Sequence, residues 1–128
     1  MDAEGVGSQQ PPPSFRLPGV TSVQMRRVRF DPPIRFYRDG RLTAAGEAIE
    51  LLVETTAALP IRDLTPAIFV GDVPVTHYDL VGANQYRFRA FDVDQLQRGA
   101  RISIGWPFAP QSRIPTPFVF DPGAFPVA

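Results

Sequence analysis

The 128 residues include 13 arginines, no lysine and 13 acidic side chains, so the formal net charge is zero, and 44% of positions are hydrophobic. That length suits one domain with one core. Fifteen prolines and ten glycines weigh against a helical protein, because proline removes a backbone donor and clashes inside a helix. The absence of cysteine excludes a disulfide framework, a thiolate nucleophile and a thiolate metal site.

Residues 1–23 read as an extended arm. "SQQPPPSFRLPG" holds a three-proline run that favours polyproline II, and too little apolar surface to offset the entropy of ordering. Phe15 is the arm's candidate anchor. The opening residues carry acids rather than a basic n-region, so no secretory signal is expected. No stretch reaches the roughly 18 apolar residues that span a bilayer. The expectation is a soluble protein of the cytoplasm or of a virion.

A body over residues 24–106 follows, and it opens on a basic stretch. "QMRRVRFDPPIRFYRDGR", residues 24–41, places six arginines against Asp31 and Asp39, a net +4, whereas residues 42–128 sum to −3. "VQMRRVRF" predicts a strand with Val23 and Met25 inward and a slip before Val28 and Phe30 that marks a bulge. Asp39-Gly40 predicts a tight hairpin turn.

In "GEAIELLVETTAALP", helical spacing fits Ala45, Ala48, Ile49, Leu52, Thr56 and Leu59, while strand alternation puts Ile49, Leu51 and Val53 on one face. The strand is preferred because Gly46 would sit inside the helix and the downstream strands need a partner. "PAIFVGDVPVTHYDL" predicts two short strands about Gly71-Asp72. In "NQYRFRAF", Tyr86, Phe88 and Ala90 alternate inward against Arg87, Arg89 and Phe91. "DVDQLQRG" predicts one helical turn, capped by Asp92 and ended by Gly99. "ARISIGW" predicts a strand with Ile102 and Ile104 on one face.

The C-terminal stretch 107–128 predicts a second extended arm, proline-rich but carrying Phe108, Phe118, Phe120 and Phe125. Rings this dense pack on the parent domain or on a partner. Short strands at even spacing between turn residues predict an all-β antiparallel sandwich with extended arms.

Residues 64–107, "LTPAIFVGDVPVTHYDLVGANQYRFRAFDVDQLQRGARISIGWP", resemble the second half of an immunoglobulin-like domain of the IPT/TIG type. The likeness lies in a strand, a glycine-containing turn ("VGDVPV"), a strand, an alternating strand and "LQRGARISI", which is similar to the "L..G...I.V" that such domains show before the last strand. It implies a small Ig-like sandwich with a binding or spacer role. It transfers no functional residues.

Residues able to do chemistry are sparse. His77 is the single histidine, and none of Ser8, Ser14, Ser22, Ser103 or Ser112 stands in a G-x-S-x-G context. Asp92 and Asp94 are better explained by a helical turn than by acid-base work or a cation site. Glu47, Glu50 and Glu54 read as a solvated face. No phosphate-binding, dinucleotide or metalloprotease motif is present, and neither cofactor nor metal is expected.

The aromatic-interleaved arginines raise single-stranded nucleic acid as a partner. The acidic body, and the interruptions at Asp31, Asp39, Pro32 and Pro33, argue instead for arginines that pair with acids of the body or of a neighbouring subunit. Phe30-Asp31-Pro32 recurs as Phe120-Asp121-Pro122, each where an arm meets the core, which suits partner docking.

The expected function is non-enzymatic: a structural module whose arms dock on a larger assembly or a homo-oligomer, such as a capsid decoration or minor virion protein. Arg26, Arg27, Arg29, Phe15, Phe108, Phe118, Phe120 and Phe125 are the candidate contacts. The alternative is a small ligand- or carbohydrate-binding accessory module using Trp106 and Tyr86.

Overall fold

The computed structural model describes residues 16–60 and 65–121. A long hairpin begins the fold: β1 (Val20–Arg38) returns as β2 (Arg41–Thr55). Asp39 and Gly40 both take positive φ, 50° and 77°. This is the type I′ geometry that Asp-Gly favours, because its twist matches the twist of the flanking strands. Then follow β3 (Ala67–Val70), β4 (Val73–Val75), β5 (His77–Gly82), β6 (Gln85–Ala90), a 3-10 turn (Val93–Gln95), β7 (Arg101–Trp106) and β8 (Ala109–Val119).

Two four-stranded antiparallel sheets result, ordered β1-β2-β6-β5 and β4-β3-β7-β8. This order is compatible with that of immunoglobulin-like sandwiches, in which ABED faces CFG or its extended form. The ambiguous 46–60 segment is a strand through Thr55. Its Ile49, Leu51 and Val53 are fully buried, and β1 and β6 flank it.

The core lies between the sheets. Val23, Met25, Ile49, Leu51, Val53, Tyr86 and Phe88 come from one sheet, Ile68, Val70, Ile102 and Ile104 from the other, and Leu59, Leu96 and Phe120 join them from the connections. Each large apolar side chain buried here contributes about 1.5–3 kcal/mol relative to exposure. In β6 the period of two places Tyr86, Phe88 and Ala90 inside and Arg87 and Arg89 half-exposed outside, as the alternation predicts.

Several expectations are corrected. The β1–β2 register is unbroken from Val23 to Arg29, so there is no slip at Met25–Val28. Val28 lies opposite Ala48, which alternation places on the outer face beside Glu50. The register shifts fall instead between Val20 and Ser22 and between Arg29 and Ile34, the second where Pro32 and Pro33 have no N–H for the ladder. Asp92 makes no side-chain cap bond to the 3-10 turn, because its carboxylate is taken by Arg38.

The expected arm boundaries also shift. Leu17 packs on the core and the Thr56 N–H donates to the Gly19 carbonyl at 2.9 Å, so the body begins before residue 24. At the other end β8 pairs with β7 from Trp106↔Ala109 to Arg101↔Val119. Its Pro110, Pro115 and Pro117 are tolerated because β8 is an edge strand.

Candidate interaction surface

Because side chains alternate along a strand, the outer face of the first sheet receives Arg26, Glu50 and Arg89 as cross-strand neighbours. Arg26 Nε donates to Glu50 Oε1 at 2.9 Å, with Nη2 in ion-pair contact at 2.8 Å, and Arg89 Nε donates to Oε2 at 2.9 Å. Glu50, expected on a solvated face, is only 4% exposed. Burial pushes its carboxyl pKa up, but the hydrogen bonds from Arg89 and Arg26, with their positive charges, prevail and hold it below the ordinary carboxylate value. Arg87 donates from Nη2 to Asp79 Oδ2 at 3.2 Å, and the Arg89 guanidinium lies 5.8 Å from the Phe30 ring centroid.

Beyond Glu47 no third strand among the described residues accompanies the β1–β2 hairpin, since β6 pairs only with Ile49–Glu54 of β2. This distal ribbon is nonetheless anchored to the body along one face. Phe36 stacks on Phe91 with centroids 4.1 Å apart and planes at 15°, and His77 meets both rings edge-on at 5.6 and 5.2 Å. Arg38 lies over Phe36 at 5.1 Å and pairs with Asp92. The cleft beside this anchor, about 520 Å³, is lined by Phe36, Arg38, His77, Arg89 and Asp92 among others. Two of its charges are matched, Arg38 by Asp92 and Arg89 by Glu50, while Asp39, which also lines it, forms no ion pair among the described residues.

The opposite face of the ribbon is bare. Tyr37 and Leu42 sit directly across from one another and are 68% and 56% exposed. Of the six arginines between residues 24 and 41, Arg26, Arg27 and Arg38 pair with Glu50, Glu47 and Asp92. Arg29, Arg35 and Arg41 are exposed and form no ion pair among the described residues.

The candidate rings of the C-terminal stretch are divided. Phe108 is 58% exposed and lies beside Trp106, Phe118 packs partly buried on the core, and Phe120 is 3% exposed within it. Phe120 also donates its N–H to the Ala100 carbonyl at 2.8 Å and accepts from Gly99 N–H at 2.7 Å. The chain's own core has therefore taken this ring. Phe15 and Phe125 lie outside the described residues.

The two Phe-Asp-Pro copies sit in different surroundings. Phe30 underlies Arg89, whereas Asp121 pairs with Arg98 at 3.2 Å. Trp106 and Tyr86 are 4% and 2% exposed, and the Tyr86 hydroxyl accepts from Leu59 N–H at 2.8 Å, so neither ring is open to a sugar. Among the described residues no group of three or more acids or histidines is placed to hold a metal, and no helix is long and apolar enough to cross a membrane.

Sequence reasoning missed the exposed Tyr37–Leu42 pair, although the two-residue turn at Asp39-Gly40 fixes that register. It also missed the Phe36–Phe91 stack, which joins residues far apart in the chain. No protein-family model, curated protein or solved structure matches this chain.

Proposed function

We propose that this chain is a non-enzymatic interaction module, an immunoglobulin-like sandwich of the IPT/TIG type that docks on a larger assembly such as a viral capsid or another multisubunit particle. The sheet order and the Gly71-Asp72 turn between β3 and β4 support the fold type.

The observation that carries the docking reading is the ribbon. One face is fastened to the body by Phe36, Phe91 and Arg38, while the other offers the exposed Tyr37 and Leu42 with Arg35, unpaired among the described residues. Exposed apolar side chains held on a rigid element bind with little further loss of conformational freedom. The residues most suited to chemistry are occupied by structural contacts instead. Asp92 is paired with Arg38, His77 packs against two phenylalanine rings, and Ser103 is 4% exposed within β7. Phe108 and the proline-rich terminal segments with Phe15 and Phe125 supply further anchors in this reading.

Velocity sedimentation of the protein from gently lysed source material tests it. Cosedimentation with a large particle, and release as a slowly sedimenting species after the particle is dissociated, is the expected result. A free monomer throughout would overturn the proposal.

A further inference from the structure

Within that docking reading, we propose that the outward face of the distal β1–β2 ribbon, built on Arg35, Tyr37 and Leu42, is the docking surface, and that its partner is an acidic protein surface with an apolar patch. The first argument is charge. The hairpin's arginines divide into two sets, and the set matched by this chain's own acids, Arg26, Arg27 and Arg38, is distinct from the unmatched set of Arg29, Arg35 and Arg41. Surplus cations at a protein surface are complemented by carboxylates of a partner.

The second argument is the apolar pair. Tyr37 and Leu42 are cross-strand neighbours, 68% and 56% exposed, and tyrosine and arginine are the residue types most enriched among interface anchors. Neither residue is needed to hold the ribbon, because Phe36 and Arg38 on the other face do that.

The same residues disfavour two other occupants. A nucleic acid needs a continuous basic track with rings for stacking, but Asp31 and Asp39 interrupt this one and leucine offers no stacking surface. A strand added to the open edge of β1 would need main-chain donors along it, and Pro32 and Pro33 in mid-strand remove two of them. That leaves the face of the ribbon and the β2 edge over residues 41–47, which β6 does not cover. The exposed Tyr37 and Leu42 favour the face, and side-chain substitutions there separate the two because they leave main-chain pairing at the edge intact.

The test uses the full chain and defined fluorescent probes in anisotropy titrations. They are a 20-residue amphipathic peptide with leucines on one face and glutamates on the other, the same peptide with lysines for glutamates, and a 20-nucleotide oligothymidylate. The acidic peptide is expected to bind at least tenfold more tightly than the other two. Binding should weaken about tenfold in Tyr37→Ser/Leu42→Ser and, separately, severalfold in Arg35→Ala, with the thermal midpoints of all variants close to wild type. Ile114→Ser, at an exposed position of edge strand β8 in the other sheet, should leave it unchanged.

Tighter binding of the oligothymidylate would overturn the inference in favour of nucleic acid. Equal binding by wild type and both ribbon variants would overturn the surface. Concentration-dependent dimers abolished by Leu42→Ser would assign it to a second copy. Cosedimentation with a particle alongside a failed peptide titration would leave the docking reading standing and refute only this surface.

Discussion

Glu50 illustrates how a charged residue becomes part of a β-fold's structure. At 4% exposure an unpaired carboxylate would be strongly disfavoured, and two guanidinium groups in adjacent strands compensate it. Its folded pKa is depressed, so its stabilising contribution is fully present above the unfolded value of about 4.3 and is lost as pH falls through the lower folded value. Glu50→Gln should cost roughly 2 kcal/mol at pH 7, in the range for hydrogen bonds to charged groups. In urea unfolding the gap between the variant and wild type should narrow progressively as pH falls below the unfolded value of about 4.3. An unchanged gap would mean that the ionised form adds nothing.

A second residue-scale test concerns glycine. A Cβ on Gly105 would lie 2.8 Å from Arg113 Cβ and 2.9 Å from its Cα, whereas one on Gly46 meets nothing within 4 Å. Gly105→Ala should therefore destabilise by about 1–3 kcal/mol through overpacking between β7 and β8. Gly46→Ala should be neutral or slightly stabilising. Paired denaturation curves decide it.

At the scale of elements, the hairpin combines two stabilities. Its proximal half is a core strand pair, and its distal half is fixed by the Phe36–Phe91 stack and the Arg38–Asp92 pair. Phe88→Ala should cost about 3–5 kcal/mol globally. Phe36→Ala should instead leave global stability within about 1 kcal/mol while hydrogen exchange in the Ile34–Ala45 ribbon accelerates, because local opening need not involve the core. Loss of protection across β6 in that variant would show that the ribbon and body unfold as one unit.

The elements differ in how far their sequences declare them. In β6 the alternation of Tyr86, Phe88 and Ala90 with arginines is local, so faces and strand type were both legible, and so was the Asp39-Gly40 turn. The 46–60 segment satisfied two periods at once, and only flanking strands resolve it. The proline-rich run that becomes β8 carries no alternation. Pairing with β7 at a sheet edge makes it a strand, and that is a long-range fact. Likewise the burial of Glu50 depends on arginines from two other strands, which no local pattern announces, and Phe120 reads as an arm ring until its core neighbours are placed.

At the scale of the whole molecule, a sandwich with its core closed between two sheets carries a ribbon whose inner face is fastened and whose outer face is bare. A rigid element presents docking residues more accurately than a loop. Hydrogen–deuterium exchange of the free protein against the protein in its native particle tests this most directly. Amides of the distal ribbon from Arg35 to Ala44 are expected to gain protection in the particle, while those of Phe69, Phe88 and Ile104 in the core strands stay equally slow in both. Ribbon exchange identical in the free and assembled states, with protection gained elsewhere or nowhere, would contradict the assignment of this surface to docking.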